Sequence, residues 1–228
     1  MLINGRKINR IVASGCSFTY GDELADRQTE TWLAQLAQLC NVEYVNLAFC
    51  GMGNEHISRT LIDYFALNPT HMTDSFVIPC FTKFSRVEFP HQNPFDKPWA
   101  TLPMSIIEPE FTQLFLERFY NSNWEYYYTR YLRIIIGLQH TFKAWDVPYL
   151  MCEGVSGNDH WQRKQTETVV ALKNQIDKST WFHFFTNNID TLTDPKDRAP
   201  RGHPTAKAYS DFSALLHQHL INNYNAEI

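Results

Sequence analysis

Two hydrophobic periods take turns along the chain. Residues 8–14 (Ile-Asn-Arg-Ile-Val-Ala-Ser) form a short apolar run that predicts a buried strand ending at Gly15. Over residues 29–40 the apolar positions Trp32, Leu33, Leu36, Leu39 and Cys40 fall on one helical face, with Gln35 and Gln38 opposite. Residues 43–49 alternate as a strand does and run into Cys50-Gly51-Met52-Gly53-Asn54, and a second helix follows with Ile57, Leu61, Tyr64 and Phe65 as its inner stripe. Residues 74–82 read as a third strand, with Pro79 marking a bulge or its end because proline cannot donate to the ladder. Strand–helix alternation of this kind predicts parallel strands joined by right-handed crossovers.

The periodicity lapses over residues 88–109, where Pro90, Pro94, Pro98, Pro103 and Pro109 punctuate aromatic and polar residues. A loop of that length in a compact unit is usually a lid, a binding loop or a partner surface. Helices are expected over residues 111–120 and 124–145, the second carrying Tyr127, Tyr131, Ile134, Ile135, Leu138 and Phe142 as core and interface. Residues 146–152 predict a fourth strand, residues 161–176 a weak helix, and residues 181–185 a short fifth strand. His203-Pro204-Thr205 opens a last helix with Pro204 in its first turn, and Tyr209, Phe212, Leu216 and Leu220 facing inward. The expectation is one α/β domain over residues 1–228: a three-layer α/β/α sandwich around a mainly parallel sheet of about five strands, with a Pro- and aromatic-rich elaboration at 88–145.

Composition narrows the function. The 228 residues carry 20 basic and 24 acidic side chains with no basic run, which argues against a nucleic acid or an anionic membrane as the main partner. No apolar stretch approaches the roughly 20 residues of a membrane span, and the first residues lack the apolar region of a signal peptide, so a cytoplasmic protein is expected. The five cysteines are widely spaced with no C-x-x-C pair, which predicts free, mostly buried thiols rather than a zinc or dithiol site. No metal or cofactor is expected: His217 and His219 lie on different helix faces, and Asp159-His160 stands without further ligands.

The candidate chemistry begins at residues 15–23, Gly-Cys-Ser-Phe-Thr-Tyr-Gly-Asp-Glu. Small residues at a strand end allow a tight turn, and open α/β sheets bind ligands at that edge. Ser17 on this turn is either a nucleophile or a turn serine bonded to its own backbone. Cys16 beside it points to the opposite side and reads as a small buried residue.

The ordered set of Gly15-Cys16-Ser17, Asn46 to Gly51 and His203-Pro204 resembles the SGNH/GDSL hydrolases. The run Gly15 to Gly21, with the later Gly51-x-Gly53-Asn54-x-x-Ile57-x-Arg59, is more particularly similar to small bacteriophage-encoded proteins of that group. The resemblance implies a flavodoxin-like sheet and a serine esterase acting through an acyl-enzyme. Ser17 would attack, His203 would serve as base and then acid, and Asp197 or else Asp194 would orient the imidazole. The Ser17 and Gly51 amides, with Asn54 or Thr82, would make the oxyanion hole. The position three before His203, an Asp in the family, is Pro200; some members use a backbone carbonyl instead. The family's third block is missing after strand three, and Gly157-Asn158-Asp159, which looks like it, follows strand four. Arg86 and Glu88 either bind a polar substrate group or pair with each other. The implied substrate is a small-molecule or carbohydrate ester, with a homo-oligomer or virion partner open. The other reading is a catalytically weak or idle protein of this fold used in binding or phage assembly.

Overall fold

The computed structural model describes residues 1–90, 99–102, 114, 117–118, 124–155 and 166–227. Most of the Pro-rich stretch 88–109, most of the helix expected over 111–120, the Gly157-Asn158-Asp159-His160 segment and the first part of the 161–176 helix lie outside these residues.

A parallel sheet organises the rest. Strand β1 (Arg10–Ser14) leads through short helices α1 (Ser17–Tyr20) and α2 (Arg27–Glu30) into α3 (Trp32–Leu39), and then to β2 (Glu43–Asn46). Helix α4 (Asn54–Leu67) connects to β3 (Ser75–Phe81). Strands β4 (Val87–Pro90) and β5 (Trp99–Leu102) pair antiparallel, Val87 opposite Leu102, so the ends of the Pro-rich stretch form a small ribbon that periodicity did not reveal. Helix α5 (Trp124–Ala144), β6 (Cys152–Glu153), α6 (Glu167–Asn174), α7 (Ile189–Leu192) and α8 (Ala206–Tyr224) follow, and ahead of β1 the segments Leu2–Ile3 and Arg6–Lys7 pair antiparallel as a separate ribbon. The main sheet runs β2-β1-β3-β6, all parallel, with Val12 opposite Val45 and Val77.

Alternation along the strands separates two hydrophobic layers. Ile11, Ala13, Phe76 and Ile78 pack against Trp32, Leu33 and Leu36 of α3 and Phe212, Leu216 and Leu220 of α8. Val12 and Val77 point the other way, onto Ile57, Leu61 and Phe65 of α4 and the buried tyrosines, Ile135, Leu138 and Phe142 of α5. Helices therefore cover both faces, as the three-layer expectation requires. Ser213 locks α8 to α3 by donating to the Trp32 carbonyl at 2.8 Å.

Three expectations need correction. The fifth strand is a single bridge between Met151 and Trp181, because His183 and Phe185 take positive φ of 51° and 52° and break the extended run. Among the described residues the sheet has four strands. Pro79 marks neither a bulge nor the end of β3; it sits opposite Ser14, the last residue of β1, inside a seven-residue strand. Pro204 lies outside the last helix, whose N-cap is Thr205 accepting from the Ala208 amide at 3.5 Å.

Candidate active site

The chain leaves β1 at the carboxyl edge of the sheet and turns at once into the four-residue α1. Gly15 permits this because a Cβ there would lie 2.2 Å from Thr19 Oγ1 and 3.2 Å from the Cys80 carbonyl. Gly15→Ala is expected to cost about 1–3 kcal/mol through overpacking, lowering Tm by roughly 2–12 °C. A thermal melt identical to wild type would contradict this packing. Cys16 is fully buried in the core, and Ser17, also buried, is the first residue of the helix. Ser17 and Gly51 both have main-chain N–H groups without a hydrogen-bond acceptor among the described residues. At Ser17 this follows from its place in the first turn, where amides have no intrahelical partner.

Helix α1 stops after one turn. Gly21 takes φ 84° and its amide, with that of Asp22, returns to the Ser17 carbonyl at 3.0 and 3.2 Å. A side chain at Gly21 would also meet Thr31 Cγ2 at 2.5 Å. Glu23 follows with φ 68°, a left-handed conformation that costs a non-glycine residue about 1–2 kcal/mol. The double reversal swings the acidic pair back toward the loop before α8.

That loop presents His203. The Ala199 amide donates to the His203 carbonyl and the Gly202 amide to the Ala199 carbonyl, each at 2.8 Å. Arg198 stitches its base by donating to Asp190 Oδ1 at 2.8 Å and to the Gly202 carbonyl at 3.0 Å. The imidazole packs on the Phe18 ring, centroids 5.4 Å apart, which sets it beside the residue after Ser17. Its Nδ1 lies 2.7 Å from Glu23 Oε2, and Nε2 lies 3.8 Å from Asp22 Oδ2. Glu23 also accepts from the Arg201 amide at 2.8 Å and the His203 amide at 3.3 Å. Burial pushes the Glu23 carboxyl up, but the Arg201 amide, the His203 side chain and the His203 amide outweigh it and hold it below its ordinary value.

The carboxylate on the imidazole is therefore Glu23, and the expectation of Asp197 is corrected. Asp197 Oδ2 accepts from Lys207 Nζ at 3.0 Å, and Asp194 caps the short turn at Lys196 while pairing with its side chain. Neither pairs with His203, whose ion-pair partners among the described residues are Glu23 and Asp22. Glu23 went unassigned because its role depends on two positive-φ residues, although an acidic pair directly after Gly21 was a signal in plain view.

The segment after β2 closes over the same edge. Asn46 Nδ2 donates to the Thr19 carbonyl at 2.8 Å, the Phe49 amide to the Gly15 carbonyl at 3.2 Å, and the Tyr20 and Phe49 rings meet edge to face. Gly51 takes φ 77°. Burial raises the Cys50 thiol, with the Asp22 carboxylate it hydrogen-bonds adding to the effect, and the thiol is pushed up to about 12. It is protonated at neutral pH and no rival nucleophile. Asn54 is buried and clamps the end of β3, donating to the Thr82 carbonyl at 3.0 Å and accepting from the Thr82 amide at 2.9 Å. Thr82 Oγ1 is buried with no hydrogen-bond partner among the described residues. Arg86 donates from Nη1 to the Met52 carbonyl at 3.0 Å, while Glu88 pairs with Arg59 at 2.7 Å; the Arg86–Glu88 pair is not formed. No group of metal-binding side chains occurs among the described residues, nor does any helix there have the length and apolarity to cross a membrane.

No protein-family model matches the chain, and no curated protein matches it. Solved structures do. The esterase EstA of Pseudoalteromonas sp., in a structure inhibited by monoethylphosphonate, is 12% identical with a TM-score of 0.57, covering 96% of this chain and all of the other. A lipolytic protein of the G-D-S-L family from Desulfitobacterium hafniense is 13% identical with a TM-score of 0.51, covering 92% and 98%. The acetyl xylan esterase Est2A of Butyrivibrio proteoclasticus is 13% identical with a TM-score of 0.54, covering 95% of this chain and 64% of that one. At these identities the likeness shows the fold: this chain has the α/β architecture of SGNH esterases.

Proposed function

We propose that the chain is a serine esterase in which Ser17, His203 and Glu23 act as one unit. The observation that carries the reading is the 2.7 Å contact of His203 Nδ1 with the ionised Glu23, at the edge where Ser17 turns out of β1. Holding the proton on Nδ1 leaves Nε2 as the base. It takes the proton of Ser17 Oγ as that oxygen bonds to the ester carbonyl carbon, and it returns the proton to the departing alcohol. Water then repeats the sequence on the acyl-enzyme, releasing the acid and restoring Ser17.

Charge on the carbonyl oxygen needs donors already in place. The unengaged Ser17 and Gly51 amides supply two. Asn54 uses its Oδ1 and one Nδ2 hydrogen on Thr82, so its second amide hydrogen or the Thr82 hydroxyl, which has no partner among the described residues, is the third donor. The esterases sharing the fold, one of them an acetyl xylan esterase, support a small acyl or acetyl ester as substrate.

A covalent route predicts a burst. Mixing enzyme with 4-nitrophenyl acetate should release about one equivalent of nitrophenol before the steady state when deacylation is the slower step. A folded enzyme that releases no nitrophenol above the buffer rate would overturn the esterase reading.

A further inference from the structure

Arg86 is a buried cation for which the described residues supply no ion pair. It is only 5% exposed, and the one hydrogen bond of its guanidinium among the described residues runs from Nη1 to the Met52 carbonyl. Two carboxylates of neighbouring segments face other arginines: Glu55 Oε1 lies 2.8 Å from Arg130, its Oε2 being buried without a hydrogen-bond partner among the described residues, and Glu88 lies 2.7 Å from Arg59. Arg86 makes no ion pair with either of them or with another carboxylate among the described residues. A buried cation without a counter-charge is expensive unless something supplies the anion.

Its position connects it to the reaction. Met52, which receives the Arg86 bond, lies between Gly51 and Gly53, and a Cβ on Gly53 would stand 3.3 Å from that of Arg86. Cys50, two residues before Met52, hydrogen-bonds Asp22 of the nucleophile loop. The guanidinium is therefore attached to the short segment that carries the Gly51 amide. One N–H is taken by Met52, and the planar fork retains further donors suited to a carboxylate or phosphate.

We infer that the ester bears an anionic group, a carboxylate or a phosphate, which pairs with Arg86 while its carbonyl lies at Ser17. This rests on the esterase reading above and adds the charge of the substrate to it.

The test compares 4-nitrophenyl butyrate with mono-4-nitrophenyl succinate, in which a carboxylate replaces the terminal methyl group. Wild type should favour the succinate in kcat/KM by about 10- to 100-fold, the worth of a charge-assisted pair. In Arg86→Gln that ratio should collapse toward 1, while Arg86→Lys, which keeps the charge, should retain part of it. Thermal melts establish that each variant is folded, and Arg86→Lys remains readable if the Gln variant is not. A wild type without preference, or a ratio unchanged while both rates fall, would overturn the inference. If neither ester turns over, the esterase reading fails alone. Calorimetry with succinate and with inorganic phosphate then decides the anion site and distinguishes its two sources. Binding by wild type that is lost in Arg86→Gln supports the site, and no binding of either anion overturns it.

Discussion

Ser17→Ala is expected to lower kcat for ester hydrolysis by on the order of 10⁴ to 10⁶, with little change in the melt. Loss of the nucleophile removes the covalent route, and only the oxyanion donors and binding contacts remain to accelerate attack by water. The fold should tolerate the change because the turn is held by main-chain bonds from Gly21 and Asp22 to the Ser17 carbonyl, and by Gly15 beneath it. Stopped assays with a 4-nitrophenyl ester, beside circular dichroism of both proteins, measure the two effects separately. His203→Ala should fall to a similar floor, and the double variant should be no worse than either single one, since groups that act as a unit do not contribute additively.

The second large effect falls at Glu23. Glu23→Gln should cost on the order of 10³ to 10⁴ in kcat, because an amide can donate to Nδ1 and so stabilise the tautomer with its proton on Nε2, where it cannot accept from Ser17. Asp197→Asn should leave the rate near wild type, because Asp197 faces Lys207. The pair of variants separates the observed carboxylate from the one that chain order suggested. Stability should follow pH with a definite sign. Because the folded Glu23 carboxyl lies below its ordinary value near 4.5, its contribution is present above that value. It is lost as pH falls through the folded value. The difference in unfolding free energy between wild type and Glu23→Gln should shrink over that acid window. A constant difference would show that the carboxylate is not held by its neighbours.

Much of this architecture was written in short-range pattern. Ile11 and Ala13 against Val12, and Phe76 and Ile78 against Val77, announced strands covered on both faces, and the structure splits them into the two layers. Gly15 and Ser17 stood out because they follow a strand end that periodicity locates, whereas Asn46 and the role of His203 came in with the family resemblance. What was hidden depended on conformations and distances without a spacing rule. Glu23 reaches His203 only because Gly21 and Glu23 both adopt positive φ. Asp197, six residues before His203, was drawn away by Lys207 ten residues on, at the start of α8. Arg59 pairs with Glu88 across 29 residues, and among the described residues the Arg86 guanidinium bonds only a carbonyl. The fifth strand failed because two left-handed residues interrupt an apolar run whose composition was right.

The central claim, that Ser17 is a nucleophile activated through His203 and Glu23, is tested most directly by covalent labelling. Protein treated with a fluorophosphonate at neutral pH is digested, and the modified peptide is sequenced by mass spectrometry. The account predicts one adduct per chain on Ser17, absent in Ser17→Ala and His203→Ala and formed at least about 100-fold more slowly in Glu23→Gln. A folded wild type that takes no label, or an adduct carried by another residue and indifferent to His203, would contradict it.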